Sequence, residues 1–392
     1  MLRKLRRIVE EKRDSKSLFC KFLVFTKDLI WGVKVLVENI SERPTPKKIK
    51  HVNFGITYMC NSRCKICNIW KKYKENPNEI KKELTPDEIK KIFKSKYLKN
   101  LKSIQLTGGE TFLRKDFVEL CGFFVKKYPD ALIEIPTNAV NPDLTLKKIQ
   151  EIIKKYKPKK INVSVSLDGI GKTHDKIRGI SGNYKNALKL MENIKRKFSS
   201  IHLSIGFTIT PENYKDLLRV YGFSKKKNIG FGMWFGQVSS CYYNNSEKRL
   251  EKFEWDSKKL KEVEKIINQI IKNYKSSKKS FFHIINDTNT YYLSNMVDFQ
   301  KNQKRKINCY SGVHSFFLDP YGDIYSCIML NIKFGNAKEG FDKIWMSEKT
   351  KRIRKFIKNK KCACWNPCEI CPSIEKNSKA LFSNFYRIIR GK

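Results

Sequence analysis

Strand-like and helical segments alternate six times between residues 50 and 290, and this alternation restricts the possible folds of the chain. The helical segments carry apolar residues at helical spacing, as in Leu260, Val263 and Ile267. The strand-like segments are rich in Ile and Val, as expected for strands that helices bury. They are His51–Thr57, Ser103–Thr107, Ala131–Pro136, Ile161–Leu167, Ile201–Ile209 and Ile229–Phe235. Such repeats imply parallel strands joined by right-handed crossovers.

We therefore predict an α/β fold built on six parallel strands. Six repeats are too few to close an eight-stranded barrel, so the expected architecture is a partial (β/α)6 barrel, with a doubly wound sheet as the alternative. In both folds the functional residues gather at the carboxyl ends of the strands. The predicted domains are a basic helical segment (1–48), the barrel (49–300), a small Cys-rich α+β domain (305–375) and a basic amphipathic tail (376–392). A polar linker is predicted at Gln300–Lys306.

The charge balance is strongly basic, with 82 Lys and Arg against 38 Asp and Glu, which gives a net charge of +44. Because hydrophobic residues make up 40% of the chain, a disordered polycation is excluded. A basic surface attracts nucleic acid, anionic lipid or phosphorylated substrates. Lysines are spread through every segment, however, so a compositional bias explains the charge equally well. No RNA-binding module is recognisable.

The apolar run Leu18–Val37 raises the question of a membrane span. It contains Lys21, Lys27, Asp28 and Lys34, each of which is costly at the centre of a bilayer. An amphipathic helix is therefore expected, which either docks on the protein or lies on a membrane surface. Since no secretory signal is evident, we expect a cytoplasmic protein, with peripheral membrane association as a variant.

Twelve cysteines without a secretory signal favour metal or cluster ligation over disulfides. Directly after the first strand, Cys60, Cys64 and Cys67 form a C-x3-C-x2-C pattern. Three thiolates on one short loop can bind a cubane iron–sulfur cluster and leave one iron with an open position, whereas such clusters normally take four Cys ligands. Zinc is disfavoured because no fourth Cys follows nearby and the nearest His, His51, precedes the loop by a whole strand.

This loop resembles the signature of the radical S-adenosylmethionine (SAM) superfamily. The resemblance implies a [4Fe–4S] cluster whose unique iron chelates the amino and carboxylate groups of SAM. One electron from the cluster then cleaves SAM to methionine and a 5′-deoxyadenosyl radical, so the cofactor supplies the difficult chemistry. The hydrophobic position before the third Cys is Ile66, which the resemblance places against the adenine.

Two further strand ends resemble motifs of the same family. Gly108, Gly109 and Glu110 follow the second strand and are similar to the GGE motif, in which the carboxylate holds the methionine amino group. Asn138 follows the third strand. The family often has Thr-Asn-Gly there, and this chain departs from that pattern with Ala139.

The segment after the fourth strand is similar to the family's ribose-and-carboxylate stretch. Ser166 and Asp168 share one face of the strand end and are expected at the ribose hydroxyls. Arg178 is suited to bind the methionine carboxylate. The alternative is an Asp-capped turn with a surface Arg. We expect His174 to be structural.

Six cysteines form a second group near the C-terminus. Cys309 and Cys327 flank a predicted β-hairpin with a tight turn at Asp319–Asp323. The hairpin is similar to the opening of the SPASM/twitch extension, which in its full form has seven cysteines and two auxiliary clusters. Six cysteines favour one auxiliary [4Fe–4S] cluster. The resemblance assigns Cys309 and Cys327 as ligands, completed by Cys364 and Cys368, or by Cys368 and Cys371; a structural zinc is the alternative.

The sequence thus predicts a radical SAM enzyme that abstracts hydrogen from an unidentified substrate and receives electrons from a low-potential donor such as flavodoxin or ferredoxin. One alternative is a radical SAM enzyme that modifies RNA or lipid. Another is a non-catalytic iron–sulfur carrier or regulator. No acid or base is assigned, and the strand-end residues Tyr58, Trp234 and Gln237 are expected to pack rather than to react.

Overall fold

The computed structural model describes residues 44–246, 253–276, 288–377 and 380. These residues form a nine-stranded sheet in the order β6-β5-β4-β3-β2-β1-β7-β8-β9. The strands are β1 (His51–Thr57), β2 (Ser103–Gly108), β3 (Leu132–Thr137), β4 (Ile161–Ser166), β5 (Ile201–Ile209), β6 (Gly230–Phe235), β7 (Ser315–Leu318), β8 (Asp323–Tyr325) and β9 (Lys333–Asn336).

Helices connect the first six strands and surround the C-terminal ones. They are α1 (Ile69–Glu75), α2 (Pro86–Ile92), α3 (Phe117–Lys127), α4 (Pro142–Tyr156), α5 (Lys172–Arg178), α6 (Asn183–Lys197), α7 (Leu217–Lys226), α8 (Ser257–Ser276), α9 (Thr288–Asn302), α10 (Phe341–Trp345), α11 (Glu348–Lys358) and α12 (Pro367–Glu375). Short 3₁₀ helices lie at Pro77–Lys82, Lys96–Leu98, Thr111–Leu113, Tyr214–Asp216 and Ala337–Glu339.

Strands β1 to β6 are parallel and neighbour one another in chain order. This order confirms the partial (β/α)6 barrel and not the doubly wound sheet, because consecutive right-handed crossovers place all helices on one face. On β4 the outward Val163 and Val165 are buried, whereas Asn162, Ser164 and Ser166 are partly exposed on the opposite, inner face. The barrel therefore has an apolar outer layer and a polar inner wall.

The C-terminal domain continues the barrel sheet. Strand β7 pairs in parallel with β1, with Phe54 opposite Leu318, and β8 and β9 extend the edge in antiparallel fashion. The predicted hairpin is thus present, and its turn begins at Asp319, whose carboxylate accepts from the backbone N–H of Tyr321 and Asp323. One consequence is that the carboxyl end of β7 lies beside the loop that follows β1.

Local structure is defined at two helix starts and at the predicted linker. Thr85 and Glu88 form a capping box at the start of α2. Asp116 does not cap α3, because its carboxylate is held by Nε of Arg114 at 2.6 Å. The polar linker predicted at Gln300–Lys306 begins later than predicted, since α9 continues to Asn302.

The amphipathic helix predicted over Leu18–Val37 and most of the basic tail lie outside the described residues. In the part of the chain that the structure describes, no helix combines the length and apolar character needed to cross a bilayer.

Candidate active site and iron–sulfur centres

The three-cysteine loop leaves the carboxyl end of β1 and is fixed by backbone hydrogen bonds on two sides. The N–H of Arg63 donates to the carbonyl of Arg178 at 3.1 Å, and that of Lys65 donates to Ile177 at 2.9 Å. On the other side, the N–H of Asn68 donates to the carbonyl of Tyr243 at 2.8 Å. Cys64 is buried, and Cys60 and Cys67 are partly exposed. The loop is therefore held between the end of α5 and the segment after β6.

Gly179 is the residue that allows this loop to lie so close to α5. It ends the helix with a φ of +69°, and a Cβ atom there would lie 2.4 Å from the carbonyl oxygen of Arg63. Both the left-handed backbone and the close approach require a residue without a side chain. Gly179 thus lets the loop approach α5, and the carbonyl of Arg178 fixes the loop there through the N–H of Arg63.

Asn245 holds the cysteine loop in place, although no pattern in the local sequence indicates this role. It is fully buried, and its Nδ2 donates to the carbonyls of Ile66 and Gln237 at 2.9 and 3.0 Å. Its Oδ1 accepts from the N–H of Ser239 at 2.9 Å. This side chain joins the cysteine loop to the segment after β6 through contacts that are distant in sequence.

Gly108 and Gly109 allow the backbone at the end of β2 to lie directly against the backbone at the end of β1. A Cβ at Gly109 would lie 2.1 Å from the carbonyl oxygen of Met59, and one at Gly108 would lie 2.1 Å from that of Thr57. The N–H groups of Gly109 and Glu110 donate to these same carbonyls at 2.7 Å. The close contact of the two glycines in the structure is therefore with the end of β1, which positions the cysteine loop.

Glu110 lies beneath this contact with its carboxylate buried. Oε1 accepts from the hydroxyl of Thr137 at 3.0 Å, and Oε2 accepts from the N–H of Asn138 at 2.7 Å. Burial raises the pKa of Glu110 to about 7, although these hydrogen bonds act in the opposite direction. A buried carboxylate of this kind gains a counter-charge when a substrate ammonium group binds.

Asn138 reaches the cysteine loop directly. Its Nδ2 donates to Oδ1 of Asn61 at 2.9 Å and toward Sγ of Cys60 at 3.7 Å. The following residue, Ala139, has a φ of +55°, in the left-handed region where the family often has glycine. Ala139 therefore adopts a left-handed backbone conformation that suits glycine, and its Cβ makes this conformation less favourable.

Asp168 and Arg178 form a buried ion pair next to the loop. Nη1 of Arg178 lies 3.3 Å from Oδ2 of Asp168 and donates toward Sγ of Cys64 at 3.6 Å. Burial alone lowers the pKa of Arg178, but the neighbouring Cys64 and Asp168 raise it above its ordinary value. The guanidinium is thus charged at any physiological pH.

His174 holds the backbone of Asp168 in place. Its two ring hydrogen bonds are to Asp168 and Asn183, and neither is to the cysteine loop. Its Nδ1 accepts from the backbone N–H of Asp168 at 3.0 Å, and its Nε2 is 3.0 Å from Oδ1 of Asn183. Burial lowers the pKa of His174 to about 4, so the ring is neutral near pH 7. Its contacts agree with the structural role predicted for it.

The residues at this site fit a bound SAM molecule and a cluster. Oδ2 of Asp168 and Nε of Arg178 are buried polar atoms without a hydrogen-bond partner, and their chemistry matches a hydroxyl and a carboxylate. Ile66 is partly exposed and lies outside the core, so an aromatic ring can cover it. Ser166 is partly exposed on the inner wall at the same strand end. The three thiols of the loop supply the donor set of a cubane with one open position.

The second cysteine group lies against the barrel wall. Sγ of Cys368 donates to Oε1 of Gln105 on β2 at 3.6 Å. The next residue, Glu369, is buried and accepts from Nδ2 of Asn53 at 3.1 Å and from the hydroxyl of Ser315 at 2.7 Å. Helix α12 is therefore anchored to β1, β2 and β7.

Burial raises the pKa of several thiols in this group. The pKa of Cys327 is raised further by Glu369, Cys364 and Cys309. For Cys364, the residues that add to the effect of burial on the pKa are Cys309, Glu369 and Cys362. For Cys368, they are Glu369, Glu134 and Cys371. No three His, Cys, Asp or Glu side chains of the described residues are arranged around a single metal-ion position.

An aromatic cluster fills the space between the two cysteine groups. Tyr242 is buried, and its hydroxyl is 2.6 Å from that of Thr107. The pKa of Tyr242 is raised by burial and also by Cys67 and Cys368, one from each group. Its ring packs edge-on against Phe317 of β7 at 5.4 Å. Cys67 and Cys368 both pack against the apolar cluster that contains Tyr242 and Phe317, so the two cysteine groups contact the same cluster.

Two family models match the chain. The model of the radical SAM superfamily matches residues 55–223, and the SPASM model of an iron–sulfur cluster-binding domain matches residues 309–372. The chain therefore contains a radical SAM domain and a SPASM domain. These domains imply a [4Fe–4S] cluster with SAM at the barrel site and auxiliary iron–sulfur clusters at the C-terminal site.

Similar proteins of known name agree with this family. The Fe-coproporphyrin III synthase of Methanosarcina barkeri is 28% identical over 217 residues, which is 55% of this chain and 46% of that protein. The pre-heme d1 synthase of Dinoroseobacter shibae is 30% identical over 179 residues, 45% of this chain and 40% of that protein. The chain thus matches less than half the length of either relative.

The fold matches that of Streptococcus suis SuiB bound to S-adenosylmethionine. The match has a TM-score of 0.57 and 15% identity and covers 90% of this chain and 79% of SuiB. SuiB bound to its precursor peptide SuiA matches with a TM-score of 0.54 and 16% identity, over 88% of this chain and 73% of that one. These likenesses concern the fold.

Proposed function

We propose that the protein cleaves SAM reductively at the barrel site and uses the product to abstract a hydrogen atom from a substrate bound inside the partial barrel. The observation that carries this proposal is the buried Asp168–Arg178 ion pair beside Cys64, in which Oδ2 of Asp168 and Nε of Arg178 still lack a hydrogen-bond partner. An iron–sulfur carrier needs no such polar pocket next to its cysteines. When bound, the cluster and SAM together supply a 5′-deoxyadenosyl radical.

Each side chain of the site has a defined task in this proposal. Glu110 accepts hydrogen bonds from the methionine ammonium group, and Arg178 binds the carboxylate. Asp168 and Ser166 bind the ribose hydroxyls, and Ile66 covers the adenine. His174 keeps the backbone of Asp168 in place through its 3.0 Å hydrogen bond. These contacts orient the nucleoside toward the inner wall of the barrel.

The inner wall is the surface that faces a substrate. Ser166 and Thr208 are partly exposed near the carboxyl ends of β4 and β5. Ser164 and Glu134 extend this polar surface. Such a wall favours a substrate that forms hydrogen bonds over a purely apolar one.

Anaerobic reconstitution tests the proposal directly. The reconstituted wild-type protein is reduced with dithionite in the presence of SAM, and 5′-deoxyadenosine is measured. We expect production of 5′-deoxyadenosine, and we expect Cys64→Ala to abolish it while removing about four irons. The matched control is Cys121→Ala, a buried thiol of α3 far from both groups in sequence, which keeps its iron. A cluster-loaded protein that neither binds nor cleaves SAM contradicts the proposal.

We infer that the electron donor is an acidic protein such as flavodoxin or ferredoxin and that it docks near α11. Lys349, Arg352, Lys355 and Lys358 of this helix are exposed, and the helix leads directly into Cys362. A basic surface of this kind speeds the encounter with an acidic partner, and the effect weakens with salt. Electrons would then enter from the auxiliary side.

Charge reversal separates docking from chemistry. Lys355→Glu with Lys358→Glu is expected to slow flavodoxin-supported SAM cleavage and to reduce its salt dependence, while the dithionite-supported rate stays unchanged. Lys147→Glu with Lys154→Glu, at two exposed lysines of α4, is the control. An equal loss of the flavodoxin-supported rate in both double variants would indicate a general charge effect. Binding of RNA by the α11 face would favour the nucleic-acid alternative.

We also propose peripheral membrane contact through residues 18–37, supported by their amphipathic pattern. Deletion of residues 1–40 is expected to abolish binding to vesicles that contain anionic lipid. No binding by the full chain would exclude this contact.

A further inference from the structure

Glu134 places a carboxylate on the inner wall of the barrel, in the middle of β3. The residues on either side of it, Ile133 and Ile135, are buried in the apolar outer layer, whereas Glu134 is partly exposed on the opposite face. It comes three residues before Thr137, the last residue of the strand, which is ~10 Å along the strand axis. The carboxylate therefore lies deeper in the barrel than the strand ends that surround the cysteine loop.

Glu134 has no counter-charge among the described residues. The residues directly opposite it on the neighbouring strands are Gln105 and Asn162, both neutral amides. Burial raises the pKa of Glu134, a hydrogen bond with Asn162 acts in the opposite direction, and no charged side chain of the described residues contributes. By contrast, the carboxylates of Glu110 and Glu369 each accept hydrogen bonds from at least two other residues. A cation bound beside Glu134 would stabilise its charged form.

Asn162 is fixed in the orientation that suits this carboxylate. Its Oδ1 accepts from the hydroxyl of Ser204 at 3.1 Å and lies 2.9 Å from Nδ1 of His202. Because the oxygen is used in this way, the amide nitrogen of Asn162 is the atom that donates to Glu134. A carboxylate accepts about four hydrogen bonds, so Glu134 keeps acceptor sites for a ligand.

Trp234 lies on the same inner face, nearer to the carboxyl ends of the strands. It pairs with Thr208 of β5, and its side chain is partly exposed. The ring lies over Gly206 and Gly232, where added Cβ atoms would be 2.9 and 3.7 Å from it. Within the described ranges, this ring belongs to neither of the two apolar core clusters. The indole therefore offers an apolar surface inside the barrel.

The carboxylate and the indole lie at different depths of the barrel. Glu134 is level with His202 of β5, because both residues pair with Asn162. Gly206, under the indole, comes four residues later, which is ~13 Å along the strand, and one strand separates β3 from β5, ~10 Å across the sheet. A ligand that contacts both side chains must be elongated. Its cationic end would lie deep in the barrel and its apolar part nearer to the SAM site.

We propose that the substrate of the barrel site carries a primary ammonium group, which Glu134 binds, and that Trp234 covers the carbon chain attached to it. An ammonium group brings three N–H donors and forms strong hydrogen bonds with a carboxylate. Because Glu134 lies ~10 Å below the strand end, the carbons that reach the nucleoside are those remote from the nitrogen. The same group occurs on small amines and on the lysine side chains of peptides. This substrate class rests on the proposed function of the same site.

Paired probes that differ only in charge test the substrate class. Isothermal titration calorimetry of the reconstituted protein, with SAM and without reductant, compares 4-phenylbutan-1-amine with 4-phenylbutan-1-ol. We expect the amine to bind roughly tenfold more tightly, as a charge-assisted hydrogen bond predicts. A second pair, N-acetyl-lysine N-methylamide and its norleucine counterpart, tests the lysine side chain, and the pair with the larger preference identifies the source. Equal affinities within both pairs overturn the proposal without any variant.

Glu134→Gln removes the charge and keeps the shape of the side chain. It is expected to weaken binding of the amine about tenfold and to leave binding of the alcohol unchanged. Glu151→Gln, at an exposed carboxylate of the outer helix α4, is the matched control and should alter neither affinity. An amine preference that survives in Glu134→Gln at full iron content, or that is lost equally in Glu151→Gln, overturns the role of Glu134.

Trp234→Leu tests the apolar part of the site separately. It is expected to weaken binding of the amine and of the alcohol alike, because the indole contacts the carbon chain and not the charge. Gly206→Ala should do the same, since its Cβ would displace the ring. Unchanged affinity of both probes in Trp234→Leu overturns the role of the indole.

The binding experiment separates this substrate class from the proposed SAM cleavage, because no reductant is present. Formation of 5′-deoxyadenosine by a protein that binds amine and alcohol equally would overturn the substrate class alone. A clear amine preference in a protein that does not cleave SAM would support the cation site and overturn the proposed reaction.

Discussion

Arg178 and Asp168 form an ion pair that is shielded from solvent and lies against a cysteine of the barrel site. Nη1 of Arg178 is 3.3 Å from Oδ2 of Asp168, and the side chains are 10% and 1% exposed. The pair is separated by ten positions in the chain, but α5 brings the guanidinium back over the end of β4. A single cation therefore contacts both Asp168 and the cysteine loop.

Arg178→Gln is expected to weaken SAM binding by about 10- to 100-fold, because a charged hydrogen bond is lost and Asp168 is left buried without its partner. Equilibrium dialysis of SAM against cluster-loaded protein measures this. Arg219→Gln removes a pair with Asp216 in which the arginine is 66% exposed, and it should change SAM affinity little. Unchanged affinity in Arg178→Gln at full iron content would show that this arginine does not bind SAM.

Most of the barrel strands could be predicted because they carry buried apolar residues on alternate positions, as in Ile133 and Ile135 of β3 and Val163 and Val165 of β4. The bounds of β1 and β5 agree with the prediction at both ends. The three-cysteine loop and the Glu110, Asp168 and Arg178 positions follow from the rule that parallel strands present function at their carboxyl ends. The structure does bring these residues to one edge of the sheet.

The rest depends on contacts that local sequence does not encode. Nothing near Asn245 indicates that it binds the carbonyl of Ile66, 179 positions earlier. The joining of β7 to β1 was missed because a short strand of four residues gives no signal of its partner. Likewise, nothing in the local sequence indicates that Gly108 and Gly109 accommodate the backbone at the end of β1.

His174 makes the free energy of unfolding of the protein sensitive to acid. Its pKa is lowered by burial from 6.5 to about 4, so protonation favours the unfolded chain. The stabilisation is present above pH 6.5 and is lost as the pH falls toward 4. The full effect is on the order of 2–3 kcal/mol. Urea unfolding of the cluster-free protein at pH 7.5 and pH 5 measures it.

The appropriate comparison is His174→Gln, which removes the titrating ring. This variant is expected to be less stable than the wild type at pH 7.5 but to lose less stability between the two pH values. His202→Gln, at an exposed ring of β5, should keep the wild-type pH dependence. Equal pH dependence in wild type and His174→Gln would assign the acid sensitivity elsewhere, for instance to the buried His51 and His314.

Gly109→Ala should disrupt the site through its backbone. The added Cβ would lie 2.1 Å from the carbonyl oxygen of Met59, so the end of β1 must move and the cysteine loop with it. We expect lower unfolding stability, by about 2 kcal/mol or more, and poor iron incorporation. Gly222→Ala in α7, where a Cβ meets nothing within 4 Å, should instead stabilise by about 0.5–1 kcal/mol. Normal iron content in Gly109→Ala would mean that the loop does not depend on this contact.

Ala139→Gly is expected to stabilise the protein without loss of iron. Ala139 has a φ of +55°, where a Cβ is sterically unfavourable by roughly 1–2 kcal/mol. Glycine removes that strain but increases the flexibility of the unfolded chain, so the net gain in unfolding free energy should be ~0.5–1 kcal/mol. Denaturant unfolding of the two proteins measures the difference. Ala187→Gly, at a buried position within α6, is the control and should destabilise. A loss of stability in Ala139→Gly would show that the packing of its buried methyl group outweighs the backbone strain.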